Sequence, residues 1–139
     1  MSIDTMGLFS NVAERDFLDL MDGGAPRCRK VAQFLRFNDK DVARATGVSA
    51  SSIRLATARI PPEVVERILE WAQALNLVAQ FFRGDAEKTA LWFAIPNPLL
   101  GDVTPRDMIK LGRFSRLREF IREALAENTA APEAPVVNA

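Results

Sequence analysis

The stretch from Glu63 to Phe82 constrains this chain more than any other. Val64, Val65, Ile68, Leu69, Ala72, Leu75, Ala79 and Phe82 recur at helical spacing, with Trp71 and Leu77 beside them. That periodicity predicts one continuous helix about 30 Å long. Pro61-Pro62 precedes it, and Pro62 suits a first helical turn; Gly84-Asp85 closes it. A helix with so wide an apolar face has to be covered by other elements, so the rest of the chain reads as what packs around it. No stretch alternates convincingly at a period of two, and there is no internal repeat. The expected fold class is therefore all-α, a small helical bundle.

The flanking segments carry shorter helical signals. Phe9, Val12, Ala13, Phe17 and Leu20 suggest a short N-terminal helix ending at Gly23-Gly24, a candidate for self-association. Val31, Phe34 and Leu35 mark a helix over about 27–37. Asn38 then caps a second helix that opens on Asp39 and Asp41, turns Val42 and Ala45 inward and stops at Gly47. Ser49 is placed to cap a third, from about Ala50 to Ala58, with Ile53 and Ala56 inward. Beyond the central helix, Ala86 to Ala94 is expected to be helical, anchored by Leu91 and Trp92. Pro96 and Pro98 forbid helix around Asn97. Thr104, Pro105 and Asp107 form a helix start, Gly112 a stop, and Ser115 to Glu127 a last helix burying Leu117, Phe120, Ile121, Ala124 and Leu125. The sequence thus divides into 1–26, 27–62, 63–84 and 85–127, followed by an Ala/Pro-rich tail over 128–139 whose composition predicts flexibility.

What the chain lacks narrows the function classes. It has no histidine, no tyrosine and a single cysteine, Cys28, in 139 residues. The commonest general base and the commonest metal ligand are therefore missing. Glu119 and Glu123 form an i, i+4 carboxylate pair, but on a surface helix without partner groups. No phosphate-cradling glycine loop or nucleophile elbow is present. The expectation is a binding protein rather than an enzyme, with no cofactor and no metal. No apolar run reaches a membrane-spanning length, and the N-terminus lacks the basic start of a signal peptide, so the expected location is the cytoplasm.

Charge is neutral overall and uneven along the chain. Residues 27–60 hold eight basic residues (Arg27, Arg29, Lys30, Arg36, Lys40, Arg44, Arg54, Arg59) against Asp39 and Asp41, while residues 61–103 hold six acidic and three basic ones. A local excess of six positive charges on a helix, glycine turn, helix pattern points to nucleic-acid contact.

Two segments resemble a known family. Asp41-Val42-Ala43-Arg44-Ala45-Thr46-Gly47-Val48-Ser49 resembles the helix-turn-helix core of the Xre (lambda-repressor-like) family: Ala43 is the small residue between crossing helices, Gly47 the turn, Val48 the small apolar residue after it, and Ile53 the buried position of the recognition helix. Further on, Trp92, Pro96, Asn97, Leu100, Gly101, Pro105, Met108, Gly112 and Arg113 follow the order and spacing of the C-terminal domain of Xre/MbcA/ParS-type antitoxins, over about residues 85–126.

The resemblance implies an antitoxin of a type II toxin–antitoxin pair. Such a protein occludes the active site of a cognate toxin, usually of RES or related type and consuming or transferring from NAD⁺, and represses its own operon at operator DNA. On this reading the DNA-contacting residues are Lys40, Arg44, Ser49, Ser51, Ser52, Arg54 and Arg59. Arginine suits guanine edges and phosphates; serine and a helix N-terminus suit phosphates. The toxin-contacting candidates are Arg113, Arg116, Arg118 and Arg122 on the last helix, which suit a site that binds an anionic dinucleotide. The tail threading into that site is the alternative, and a homodimer would add avidity on DNA. The other reading of the whole chain is a stand-alone helix-turn-helix regulator in which residues 61–139 serve dimerisation.

Overall fold

The computed structural model describes residues 15–130. The expected helix over the first residues and the expected flexible tail fall wholly or partly outside that range. Within it the chain is mostly helical, with one two-stranded hairpin: β1 (Met21–Asp22), β2 (Ala25–Pro26), α1 (Cys28–Leu35), α2 (Asp39–Thr46), α3 (Pro62–Phe81), α4 (Ala86–Ala94), α5 (Pro105–Lys110) and α6 (Phe114–Ala130).

Helix α3 is the axis around which the rest packs. Val64, Ile68, Trp71, Ala72, Ala74, Leu75, Val78 and Ala79 are all buried on it, so its later turns are enclosed on nearly every side. Pro62 occupies its first turn, as its fixed φ and missing N–H favour. Helices α1, α4 and α6 lie against it, α5 bridges α4 and α6, and α2 sits on α5. One hydrophobic core runs through Val31, Val42, Ile68, Phe93, Met108 and Leu117. With Leu18 and Leu20 it crosses the boundaries drawn from the sequence between 1–26, 27–62, 63–84 and 85–127. The link between α2 and α5 is also polar: Lys110 Nζ lies 3.4 Å from Asp41 Oδ1 and 5.8 Å from the centre of the Phe37 ring.

Helix ends follow their local chemistry. Asn38 Oδ1 accepts the Asp41 N–H at 2.8 Å while Asp41 Oδ2 accepts the Asn38 N–H at 3.0 Å, a reciprocal capping box. Gly47 closes α2 at φ 77°, a conformation that a side chain disfavours. Asp85 Oδ1 accepts from Lys88 N–H at 3.0 Å, and Thr104 Oγ1 from Asp107 N–H at 3.0 Å.

Two expectations give way. Residues 15–20 are not helical. The Asp16 carboxylate instead accepts the N–H groups of Leu20 (2.7 Å) and Met21 (2.9 Å), a local competitor to helix hydrogen bonding. Gly23-Gly24 then forms a two-residue turn that pairs Met21 with Pro26 and Asp22 with Ala25. The second is the predicted helix over 50–58. It is replaced by two single 3₁₀ turns, Ala50–Ser52 and Leu55–Thr57, with Ile53 and Arg54 extended between them. Ile53 and Leu55 are both buried, at 1% and 8% exposure, and their spacing of two is a strand's, not a helix's. Arg54 and Arg59 close the second turn as an antiparallel bridge.

Candidate functional site

Two surfaces stand out, one apolar and one basic. The apolar surface is built by α4, the loop after it and α6. Phe93 and Thr89 point α4 into the core, Phe93 being 1% exposed, and the Thr89 hydroxyl donates to the Asp85 carbonyl at 2.8 Å. This corrects one of the two expected anchors, Leu91, while Trp92 does pack against the core. Leu91 is 59% exposed and Trp92 only half-buried. Ala94, at the end of α4, is followed by Ile95, which is 46% exposed.

The loop is a closed turn. Asn97 Oδ1 accepts the Leu99 N–H at 2.9 Å, the Asn97 carbonyl accepts from Leu100 and Asp102, and the Asn97 N–H donates to the Val103 carbonyl at 3.1 Å. Asn97 thus holds its own turn together. Gly101 at φ 75° lets the chain reverse. The turn pushes Leu99 outward to 79% exposure.

On α6, Leu117 and Ile121 are buried as expected, but Phe120 and Leu125 are only partly covered and Ala124 is exposed. Trp92 and Phe120 stack at 6.5 Å with their planes 16° apart. Between α3, α4, the loop and α6 lies an open cleft of about 180 Å³, lined by Val78, Phe81, Trp92, Asn97, Leu99, Phe120, Ile121, Ala124 and Leu125. Leu91 and Ile95, exposed and one turn apart at the end of α4, form an apolar ridge outside that lining; ridge and cleft are the kind of surface that protein partners cover.

The four arginines named for this surface do not form one cluster. Arg116 stands one turn before Phe120, whereas Arg118 and Arg122 share another flank at i, i+4, and none of the four lines the cleft. Arg118 lies over the Phe114 ring, 5.6 Å from its centre, and Arg113, Arg116 and Arg122 are exposed.

The basic surface comprises the 27–60 region. Lys40, Arg44, Ser49, Ser51, Ser52, Arg54 and Arg59 are all exposed. Ser49 and Ser51 share a hydrogen bond of 2.9 Å between their hydroxyls. Arg54 and Arg59 exchange both backbone N–H···O bonds at 2.9 Å, so their side chains leave the same face of the bridge. Leu55 pins this turn to α2, its N–H donating to Asp39 Oδ1 at 3.1 Å. Arg36, exposed at the left-handed C-cap of α1, belongs to the same basic region; the charge count included it although no contact role was assigned to it.

Other chemistry is sparse. Asp19 is held below the usual carboxylate range by the hydrogen bond from Lys30 Nζ at 3.1 Å, with Lys30 and Arg27 adding charge. Burial pushes the Cys28 thiol up. Among the described residues no group of three or more Cys, Asp or Glu is placed to hold a metal ion. Nor is any described helix long and apolar enough to cross a membrane. A second hollow, of about 470 Å³, lies between the N-terminal hairpin and α3, and two of its polar lining residues, Asp16 and Asn76, bond to each other, with Gln73 beside them. No protein-family model, no curated protein and no solved structure matches this chain.

Proposed function

We propose that this chain is the antitoxin of a type II toxin–antitoxin pair, a binding protein with no catalytic role of its own. Its C-terminal half caps a toxin of RES or related NAD-using type, and its basic face contacts operator DNA. The observation that carries the toxin half is the apolar ridge and cleft of Leu91, Ile95, Leu99, Trp92 and Phe120. It lies within the segment whose Pro-Asn-x-x-Leu-Gly pattern resembles the antitoxin C-terminal domain. An exposure of 79% at Leu99, on a loop braced by its own hydrogen bonds, is a rigid apolar contact waiting for a protein surface. Arg116, beside Phe120, supplies the cation that an anionic dinucleotide site accommodates, with Arg113, Arg118 and Arg122 at the rim.

The test is co-expression with the product of the adjacent reading frame, reading both growth rescue and the mass of the purified complex. Removing residues 104–139 is a poor probe, because Met108, Ile109, Phe114, Leu117 and Ile121 belong to the core. Point changes on the ridge keep the fold. Wild-type chain forms the complex and rescues growth; Leu99→Asp with Leu91→Asp loses both. A chain that finds no toxin partner, or a double variant that protects fully, refutes the assignment.

A further inference from the structure

The basic face has a feature that a helix-turn-helix does not have. Where a recognition helix would stand, Arg54 and Arg59 face each other across a short hairpin whose tip is Ala56, Thr57 and Ala58. We infer that this hairpin is a two-arginine clamp for the phosphate backbone of double-stranded DNA, so that its own share of the contact with an operator carries no base preference. The inference rests on the DNA-contacting half of the function proposed above.

Three observations support it. First, the cations are unspent. Of the eight basic residues in 27–60, Arg27 and Lys30 pair with Asp19, while Arg29, Arg36, Lys40, Arg44, Arg54 and Arg59 are exposed and, among the described residues, in no ion pair. Of the two acids of the region, Asp41 is paired with Lys110 and holds the Asn38 N–H, while Asp39 stands at the base of the hairpin, where it accepts the Leu55 N–H and anchors the turn; those six cations outnumber it.

Second, the pair is preorganised. Residues directly opposite in a hydrogen-bonded antiparallel bridge have Cα atoms about 5.5 Å apart. Leu55, 8% exposed, and its bond to Asp39 fix the turn to the body of the protein. Successive phosphates of one DNA strand advance about 3.4 Å along the axis, so two extended guanidinium groups from this base reach neighbouring phosphates, each able to donate in a fork.

Third, the tip selects the mode. Ala56, Thr57 and Ala58 carry none of the Arg, Asn or Gln groups that read base edges bidentately. The patch has no exposed aromatic ring on which unpaired bases would stack, and no bulky apolar tip to enter a lipid surface. What remains is charge at a fixed spacing, which fits duplex backbone.

The experiment uses the full chain without toxin. Two fluorescein-labelled duplexes of unrelated sequence, each about 24 base pairs, are titrated between about 50 and 200 mM KCl. A single-stranded oligonucleotide and vesicles of phosphatidylserine in phosphatidylcholine serve as comparisons. The two duplexes bind alike and better than either comparison, with affinity falling as salt rises. Arg54→Ala with Arg59→Ala lowers the slope of log affinity against log salt by about 1.8, since each phosphate contact contributes about 0.9. Arg54→Lys with Arg59→Lys keeps most of that slope, which a purely structural role would not do. Arg83→Ala, an exposed arginine past the far end of α3, leaves the slope unchanged. No duplex binding at the lowest salt, an unchanged slope in the alanine variant, equal loss in the lysine variant, a strong preference for one duplex, or equal binding to the single strand or vesicles overturns the clamp. The toxin assignment is read separately, by growth rescue, and neither failure mimics the other.

Discussion

Replacing Asn76 by leucine should destabilise the fold far more than the shared branching and heavy-atom count of the two side chains suggests. Asn76 is 3% exposed in the middle of α3. Its Oδ1 accepts the N–H of Leu18 at 3.0 Å, and its Nδ2 donates to Asp16 Oδ1 at 3.1 Å. Asp16 in turn holds the N–H groups of Leu20 and Met21, so one side chain of α3 fastens the entire entry into the β1–β2 hairpin. Leucine leaves the Leu18 N–H without an acceptor at a residue only 7% exposed. A buried donor stranded in this way costs about 1–3 kcal/mol, and a hydrogen bond to a charged group contributes about 1.5–3 kcal/mol. The added apolar burial returns about 1 kcal/mol. The expected net loss is about 2–4 kcal/mol, or roughly 10 °C in melting temperature for a chain of this size. Circular dichroism at 222 nm gives the melting shift, and amide hydrogen exchange at Leu18 and Leu20 locates it. A melting temperature within about 2 °C of wild type, or unchanged exchange at those amides, refutes the claim that Asn76 holds the N-terminal segment.

Further outcomes are expected from the caps, the ridge and the thiol. Thr104→Ala removes the acceptor for the Asp107 N–H and lowers stability by about 1 kcal/mol in urea unfolding. Leu99→Asp, at an exposed loop position, changes stability by less than about 0.5 kcal/mol while, on the proposed function, weakening capture of the adjacent reading frame's product in pull-down by tagged chain. Cys28, whose thiol burial pushes upward, alkylates with iodoacetamide at pH 8 more slowly than free cysteine. Because its folded pKa is raised, its contribution to stability is complete below the free-thiol value and lost as pH climbs through the folded one. Cys28→Ser should therefore flatten the fall in melting temperature on the alkaline side.

Much of the helical frame was legible because its signals are local. The Asn38 and Thr104 caps, the Gly47 stop and the Pro62 start each act through atoms within one turn, so residue type alone announces them. The face of α4 was not legible. Leu91, Trp92 and Phe93 are three consecutive apolar residues, and only the neighbouring helices decide that Phe93 goes inward. The hairpin at 21–26 had a readable sign, two glycines between short flanks, which the helical spacing of Phe17 and Leu20 obscured. The 50–58 segment had one too: Ile53 and Leu55 straddle exposed Arg54 at a period of two. The likeness to a helix-turn-helix outweighed it. The charge count located the basic face, but the facing of Arg54 and Arg59 depends on a backbone bridge that no composition reveals.

The core that joins α2 to α5 and α6 has a bearing on how this protein disappears. Because the apolar ridge and the arginine hairpin rest on the same buried residues, neither persists as a folded remnant once the interior opens. A protease that catches the chain during one global opening therefore removes both surfaces in a single event; on the function proposed above, turnover would be an undivided switch rather than two separately decaying activities.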